Sequence, residues 1–272
     1  PDTLHQLCSG RVLKVRLIPV LLLMNGRLVR SEAFSSHQII GDPLHEVRRF
    51  NDWMVDELIY IDITRHGAFT AGRGDQKVSG FTDPLSTLDA VSESCFMPLT
   101  WGGRIRSVAD MRERISRGAD KVTINSAAVE RPELITEGAR TFGSQAVVVS
   151  IDVRAVDDRA QVVTENGTRA SGLDPVEWAQ RVESLGAGEI LLQRVERDGA
   201  AAGYDLELIA AVAGAVSIPV IACSGVGRYE DYAKGVQAGA SAVAAANIWH
   251  FKELADRGGK RAMANAGINV RY

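Results

Sequence analysis

Apolar residues in this chain gather in short, nearly unbroken runs: Leu17–Leu23, Leu58–Ile63, Pro98–Trp101, Val122–Asn125, Ala146–Val153, Ile190–Leu192, Pro219–Cys223 and Ala242–Ala246. Continuous rather than alternating runs predict strands buried on both faces of a parallel sheet. Amphipathic stretches separate them. Two of these open with Asp42-Pro43 and Asp174-Pro175, a capping carboxylate followed by a proline suited to the first helical turn. Eight strands with helices between them predict an α/β fold, a (β/α)8 TIM barrel. A doubly wound open sheet is the runner-up, but it usually has fewer strands and gives no reason for a two-fold repeat.

The repeat is visible in the spacing. Asp42-Pro43 leads to Glu57-Leu58-Ile59 as Asp174-Pro175 leads to Glu189-Ile190-Leu191, both at an offset of 132 residues. Pro98, Asp110, Gly118, Ala119 and Val122 match Pro219, Asp231, Gly239, Ala240 and Val243 at an offset of 121. The barrel is therefore expected to be two duplicated half-barrels filling residues 14–272 as a single domain, with related ligand sites where the strands end. Residues 1–13 precede the first strand as an extension or linker. Thr64–Pro84 is a polar, glycine-rich loop, of a length more often functional or disordered than a plain connector.

Composition narrows the function classes. The 272 residues are 46% hydrophobic with 26 glycines, which excludes a disordered or collagen-like chain. The longest apolar run, Leu17–Met24, falls far short of a membrane span, which takes about 20 residues. A net charge of −3 gives no broad basic field for nucleic acid or an anionic membrane. Three cysteines, Cys8, Cys95 and Cys223, are far apart and in no Cys-x-x-Cys pattern, pointing to a reducing cytoplasmic compartment. No metal-ligand pattern and no cofactor motif are evident.

Seven segments occur in order from Arg16 onward: RLIPVLLLMNGRLVR, DELIYIDIT, GADKVTINSAAVERPELI, FGSQAVVVSIDV, GAGEILL, RDGAAAGYDLELI and SIPVIACSGVG. Together they resemble the cyclase subunit family of imidazole glycerol phosphate synthase. The resemblance implies a barrel that takes ammonia from a glutaminase docked at its strand-start face. The ammonia reaches the opposite face and reacts there with a bis-phosphorylated ribulosyl substrate. It yields imidazole glycerol phosphate for histidine synthesis and a purine-pathway ribonucleotide.

Carried over residue by residue, the resemblance makes Asp152 one of two acid/base carboxylates; Leu22 occupies the position of the other. A leucine transfers no proton, and a positioned general acid or base contributes typically ~10²–10⁴-fold. Arg30 replaces a lysine of the first loop. The phosphate loops read Gly102-Gly103-Arg104 and Ser224-Gly225, with Arg104 and Ser224 where the family has glycine. Arg104 either supplies a phosphate-binding charge or strains and fills the loop. Thr123 and Asn125 belong to the same substrate region, whereas Gln193, Ala200 and Asn247 replace hydroxyl residues. Asp198 is expected near substrate hydroxyls. At the opposite end Arg16, Glu57, Lys121 and Glu189 match the family's ammonia gate, and Asp120 a position facing the glutaminase.

Three functions follow. One is the cyclase itself. Another is a paralogous ammonia-conducting subunit serving a separate amidating enzyme in surface-polysaccharide synthesis, a branch that Leu21-Leu22-Leu23-Met24-Asn25-Gly26 and Cys95-Phe96-Met97-Pro98-Leu99 resemble. The third is a non-catalytic barrel that binds and activates a glutaminase. Loss of a catalytic carboxylate at Leu22 places the second first.

Overall fold

The computed structural model describes residues 14–64, 81, 83–252 and 254–272. The extension 1–13 and all but the edges of the loop Thr64–Pro84 lie outside them. Twelve strands follow in chain order: β1 (Arg16–Met24), β2 (Arg27–Glu32), β3 (Ser36–Gly41), β4 (Leu58–Asp62), β5 (Leu99–Gly102) and β6 (Lys121–Ile124), then β7 (Val147–Val156), β8 (Arg159–Thr164), β9 (Arg169–Ala170), β10 (Glu189–Arg194), β11 (Val220–Cys223) and β12 (Ala242–Ala245). Eight of these pair in parallel in the order β10-β11-β12-β1-β4-β5-β6-β7, and β7 pairs with β10 to close the barrel. The eight barrel strands coincide with the eight apolar runs, so the (β/α)8 expectation holds.

Strand alternation divides the core in two. Ile18, Val20, Ile59, Val148, Leu191, Ile221, Ala242 and Ala244 point into the lumen and fill it. Leu17, Leu21, Leu23, Tyr60 and Trp101 point outward under the helices, with the Tyr60 and Trp101 rings stacked at 5.6 Å. The repeated residues do the same local work in both halves. Asp42 caps the helix Pro43–Trp53 and Asp174 the helix Pro175–Ser184, each carboxylate accepting first-turn amides. Asp110 accepts the Arg106 amide at 2.9 Å, as Asp231 accepts those of Gly227 and Arg228 at 3.1 and 3.0 Å, so each pins the loop before its helix.

The sequence reading missed four strands. β1 continues past the barrel rim into an antiparallel hairpin with β2 and β3, and β7 into one with β8 and β9. Both first turns are two residues long with left-handed backbones, Asn25-Gly26 (φ 51° and 69°) and Asp157-Asp158 (φ 48° and 60°). This is the turn whose twist matches that of the flanking strands. Asn-Gly between LLLM and RLVR is a strong hairpin signal that the length of an apolar run does not carry.

At the strand-start end the last helix, Ala255–Asn265, is tied to the first strand. Lys260 Nζ lies 3.1 Å from Asp56 Oδ1, and Asp56 Oδ2 accepts the Leu17 amide at 2.9 Å. Both side chains are buried. Lys260→Ala leaves Asp56 charged and uncompensated, so urea denaturation should show a loss of ~3–5 kcal/mol. A loss below ~1 kcal/mol would mean that the pair does not hold the closure.

Candidate active site at the barrel mouth

The strand ends and the two hairpins enclose a cavity of about 960 Å³. Asp152 is buried in it, where β7 leaves the barrel beside Gln193 of β10. Its Oδ1 accepts from Ser150 Oγ at 2.8 Å and from Gln193 Nε2 at 3.0 Å. Gln193 Nε2 also donates to Ser150 Oγ at 3.2 Å. Burial pushes the Asp152 carboxyl up to about 6, against the pull of these two donors and with a further push from Asp198. A carboxyl poised near neutrality can both take and return a proton. Leu22 faces the same cavity from β1, packed in the lumen cluster and level with Ile61 of β4. It places an apolar side chain at the position the family resemblance assigns to the second carboxylate.

The two loops expected to hold phosphate keep the glycine backbone without all the glycines. Arg104 (φ 57°) and Ser224 (φ 79°) both sit in the left-handed region, a cost of order 1–3 kcal/mol for a residue held there by its surroundings. Their glycine neighbours are obligatory. A Cβ on Gly103 would lie 2.0 Å from the Asp62 carbonyl oxygen, and one on Gly225 2.2 Å from that of Gly203. Thr123 Oγ1 and Ser224 Oγ are buried with no hydrogen-bond partner among the described residues. Buried hydroxyls ordinarily find an acceptor, and these two face the cavity beside the left-handed loops. Gly102 does not line it; there a Cβ would meet the Thr123 methyl at 2.3 Å, so its bareness seats Thr123.

Several expected substrate contacts are engaged by the protein itself. Asp198, expected at substrate hydroxyls, accepts from Ser31 Oγ at 2.7 Å and from the Phe34 amide at 3.3 Å. Its own carbonyl accepts the Ala33 amide at 3.0 Å, so Asp198 latches the first hairpin across the mouth. Burial raises the Asp198 carboxyl, and the two donors oppose it. Asn247 Nδ2 donates to the Ser31 carbonyl at 2.9 Å, and Asn125 Nδ2 to that of Ser150 at 3.1 Å. Arg30 donates to Gln38 at 2.7 Å and lies 5.7 Å over the Phe251 ring. Gln193 bonds Asp152 rather than a phosphate loop, and Ala200 is exposed outside the lining.

The second hairpin meets the first. Asn166 Nδ2 reaches the Ile63 carbonyl at 3.1 Å, and a Cβ on Gly167 would stand 3.3 Å from the Phe34 ring. Ser31, Phe34, Ser150, Asn166 and Asp62 all line the cavity and escaped the sequence reading. Ser150 was within reach, since two residues apart on a strand means the same face as Asp152.

At the strand-start end, Arg16 lies 2.5 Å from Glu57 and 2.7 Å from Glu189, and Lys121 lies 3.0 Å from Glu57 and 2.8 Å from Glu189. Each cation bridges both carboxylates, so the four form one ring rather than two separate pairs. Burial pulls the Arg16 guanidinium down, but Glu57 and Glu189 hold it above its ordinary value. Asp120, exposed beside Lys121, accepts the Leu99 amide at 2.8 Å. Among the described residues no cluster of three or more His, Cys, Asp or Glu could hold a metal, and no helix is long and apolar enough to cross a membrane.

Residues 16–255 match the family model described as histidine biosynthesis protein. The chain belongs to this family. Two curated relatives, both named imidazole glycerol phosphate synthase subunit HisF, come from Caulobacter vibrioides strains NA1000 / CB15N and ATCC 19089 / CIP 103742 / CB 15. Each is 46% identical over 263 residues, covering 96% of this chain and 97% of its own. The similarity to those subunits therefore runs over nearly the whole of both chains.

The elevated Asp152 carboxyl has a consequence for stability. The folded state holds this proton more tightly than the unfolded chain, so stability is lost as pH rises from the ordinary carboxyl range through about 6. Asp152→Asn should therefore be more stable than wild type above that range, on the order of 2 kcal/mol, with the advantage vanishing toward pH ~4. Urea melts at the two extremes check this; equal stability at both would mean that Asp152 ionises normally.

Proposed function

We propose that the chain is the cyclase-type barrel subunit of an imidazole glycerol phosphate synthase, accepting ammonia at the strand-start face and using it at the mouth on a bis-phosphorylated ribulosyl substrate. The observation that carries this reading is Asp152, buried in a cavity bordered by two glycine-dependent loops with unpartnered hydroxyls. Backbone amides of such loops suit phosphate oxygens. Gly103, Arg104 and Thr123 would take one phosphate, and Ser224 and Gly225 the other. Asp152 would move the proton. The relatives, similar over the whole chain, support this reading above sugar amidation, reversing the order set by Leu22 alone.

Leu22 still favours amidation as the second reading, because the end of β1 presents a leucine where the resemblance puts a carboxylate. The barrel with the ribulosyl substrate and ammonium salt separates the two. Turnover should be measurable but ~10²–10⁴-fold below that of a barrel with both carboxylates, and Leu22→Asp should raise it. No product from either form would sink cyclisation and leave amidation.

The ring of Arg16, Glu57, Lys121 and Glu189 is read as the ammonia gate, with a glutaminase as partner at that face. Met54 and Phe96, 74% and 88% exposed, precede β4 and β5 at that end, as Asp120 precedes β6. Exposed apolar side chains at the strand-start end suit a protein partner. Such a complex should bury roughly 1,200–2,000 Å². Asp120→Lys should weaken association with the glutaminase more at low than at high salt, as read by titration calorimetry. Unchanged affinity at low salt would exclude Asp120 from the interface. A cytoplasmic setting is consistent with free thiols at Cys95 and Cys223.

A further inference from the structure

In a site with two carboxylates, one group can give a proton while the other takes one. Here the β1 position is Leu22, and Ile61, Asp62, Thr123 and Cys223 line the same cavity from other strand ends. Burial has pushed the Cys223 thiol up to about 12, so it stays protonated. Asp198, the other titratable group acting on Asp152, is engaged by Ser31 and the Phe34 amide. Asp62 lines the cavity as well, its Oδ1 held by Thr64 and its carboxyl raised by burial, and Asp152 is the carboxylate set between Ser150 and Gln193.

The proton count around it is informative. Ser150 has one hydroxyl proton, which goes to Asp152 Oδ1 at 2.8 Å. Its oxygen then accepts from Gln193 Nε2, 3.2 Å away, whose second hydrogen goes to the same Oδ1 at 3.0 Å. The triangle closes with an ionised carboxylate and no proton left over. An amide nitrogen only donates, whereas a hydroxyl in its place could also turn to accept from a protonated acid. With two donors on Oδ1, that oxygen is the poorer place for a proton.

We propose that Gln193 is a positioning residue: together with Ser150 it saturates Oδ1 of Asp152 and leaves Oδ2 as the proton-exchanging atom of that carboxylate. The catalytic meaning rests on the proposed function, but the hydrogen-bonded arrangement does not. In a catalytic cycle Oδ2 would take the proton in one step and return it in a later one, so no net proton stays on the protein.

The test is a carboxyl-carbon NMR titration of the whole barrel, with the Asp152 signal assigned by its loss in Asp152→Asn. Gln193→Met keeps the length of the side chain and removes the donor. It should move the Asp152 midpoint upward by about one pH unit or more, because a hydrogen bond to the charged form has been lost. Ser150→Ala, which leaves the Gln193 contact in place, should move it in the same direction and serves if Gln193→Met does not fold. Midpoints within about 0.3 unit of wild type in the folded variants would overturn the proposal. Where turnover is present, the acidic limb of its pH profile should follow the NMR midpoint in each variant; a limb that stays put would remove Gln193 from the chemistry. A shifted midpoint in a barrel that makes no imidazole product would uphold the Gln193 arrangement while refuting the cyclase reading.

Discussion

Closing a parallel sheet into a barrel removes water from its lumen, and every charge that faces inward then has to be compensated or neutralised. This chain meets that constraint in opposite ways at its two ends. At the strand-start end two cations and two carboxylates share four contacts and none is left over. At the strand-end face Asp152 is held by neutral donors, and its carboxyl is displaced toward neutral pH. The first arrangement is charge-neutral and internally satisfied; the second is costly to ionise, which suits a group that has to exchange protons. Between them lies an apolar lumen of isoleucine, valine, leucine and alanine side chains.

Duplication supplies the rest of the site. Each half-barrel extends its first strand into a hairpin, and the two hairpins meet over the mouth at Phe34 and Gly167. The closure depends on polar contacts from one half to the other: Ser31 and the Phe34 amide on Asp198, and Asn166 on the Ile63 carbonyl. The loops beneath keep left-handed backbones even at Arg104 and Ser224. That geometry is maintained at an energetic cost, while the glycines that cannot be replaced without a clash, Gly103 and Gly225, remain.

Much of the fold could be read from the chain. Eight apolar runs mark the eight barrel strands because a strand buried on both faces has no polar side to alternate with. The Asp-Pro pairs mark two helix starts because capping is local chemistry, settled within three residues. The hairpins escaped because their strands are polar and partly exposed, and their signal lies in the left-handed turns Asn25-Gly26 and Asp157-Asp158 rather than in apolar length.

The candidate site divides along the same line. The sequence by itself determined which residues stand at each strand end, including Asp152, the leucine at position 22 and the four charges of the ring, because strand register follows from the apolar pattern. Only the tertiary structure decided what those side chains bind. Asp198 turned out to grip a hairpin 167 residues away, counted to Ser31, and Gln193 to grip Asp152 across 41 residues. Hydrogen bonds of that span leave no periodic trace in the chain, since their partners meet only once the barrel has closed.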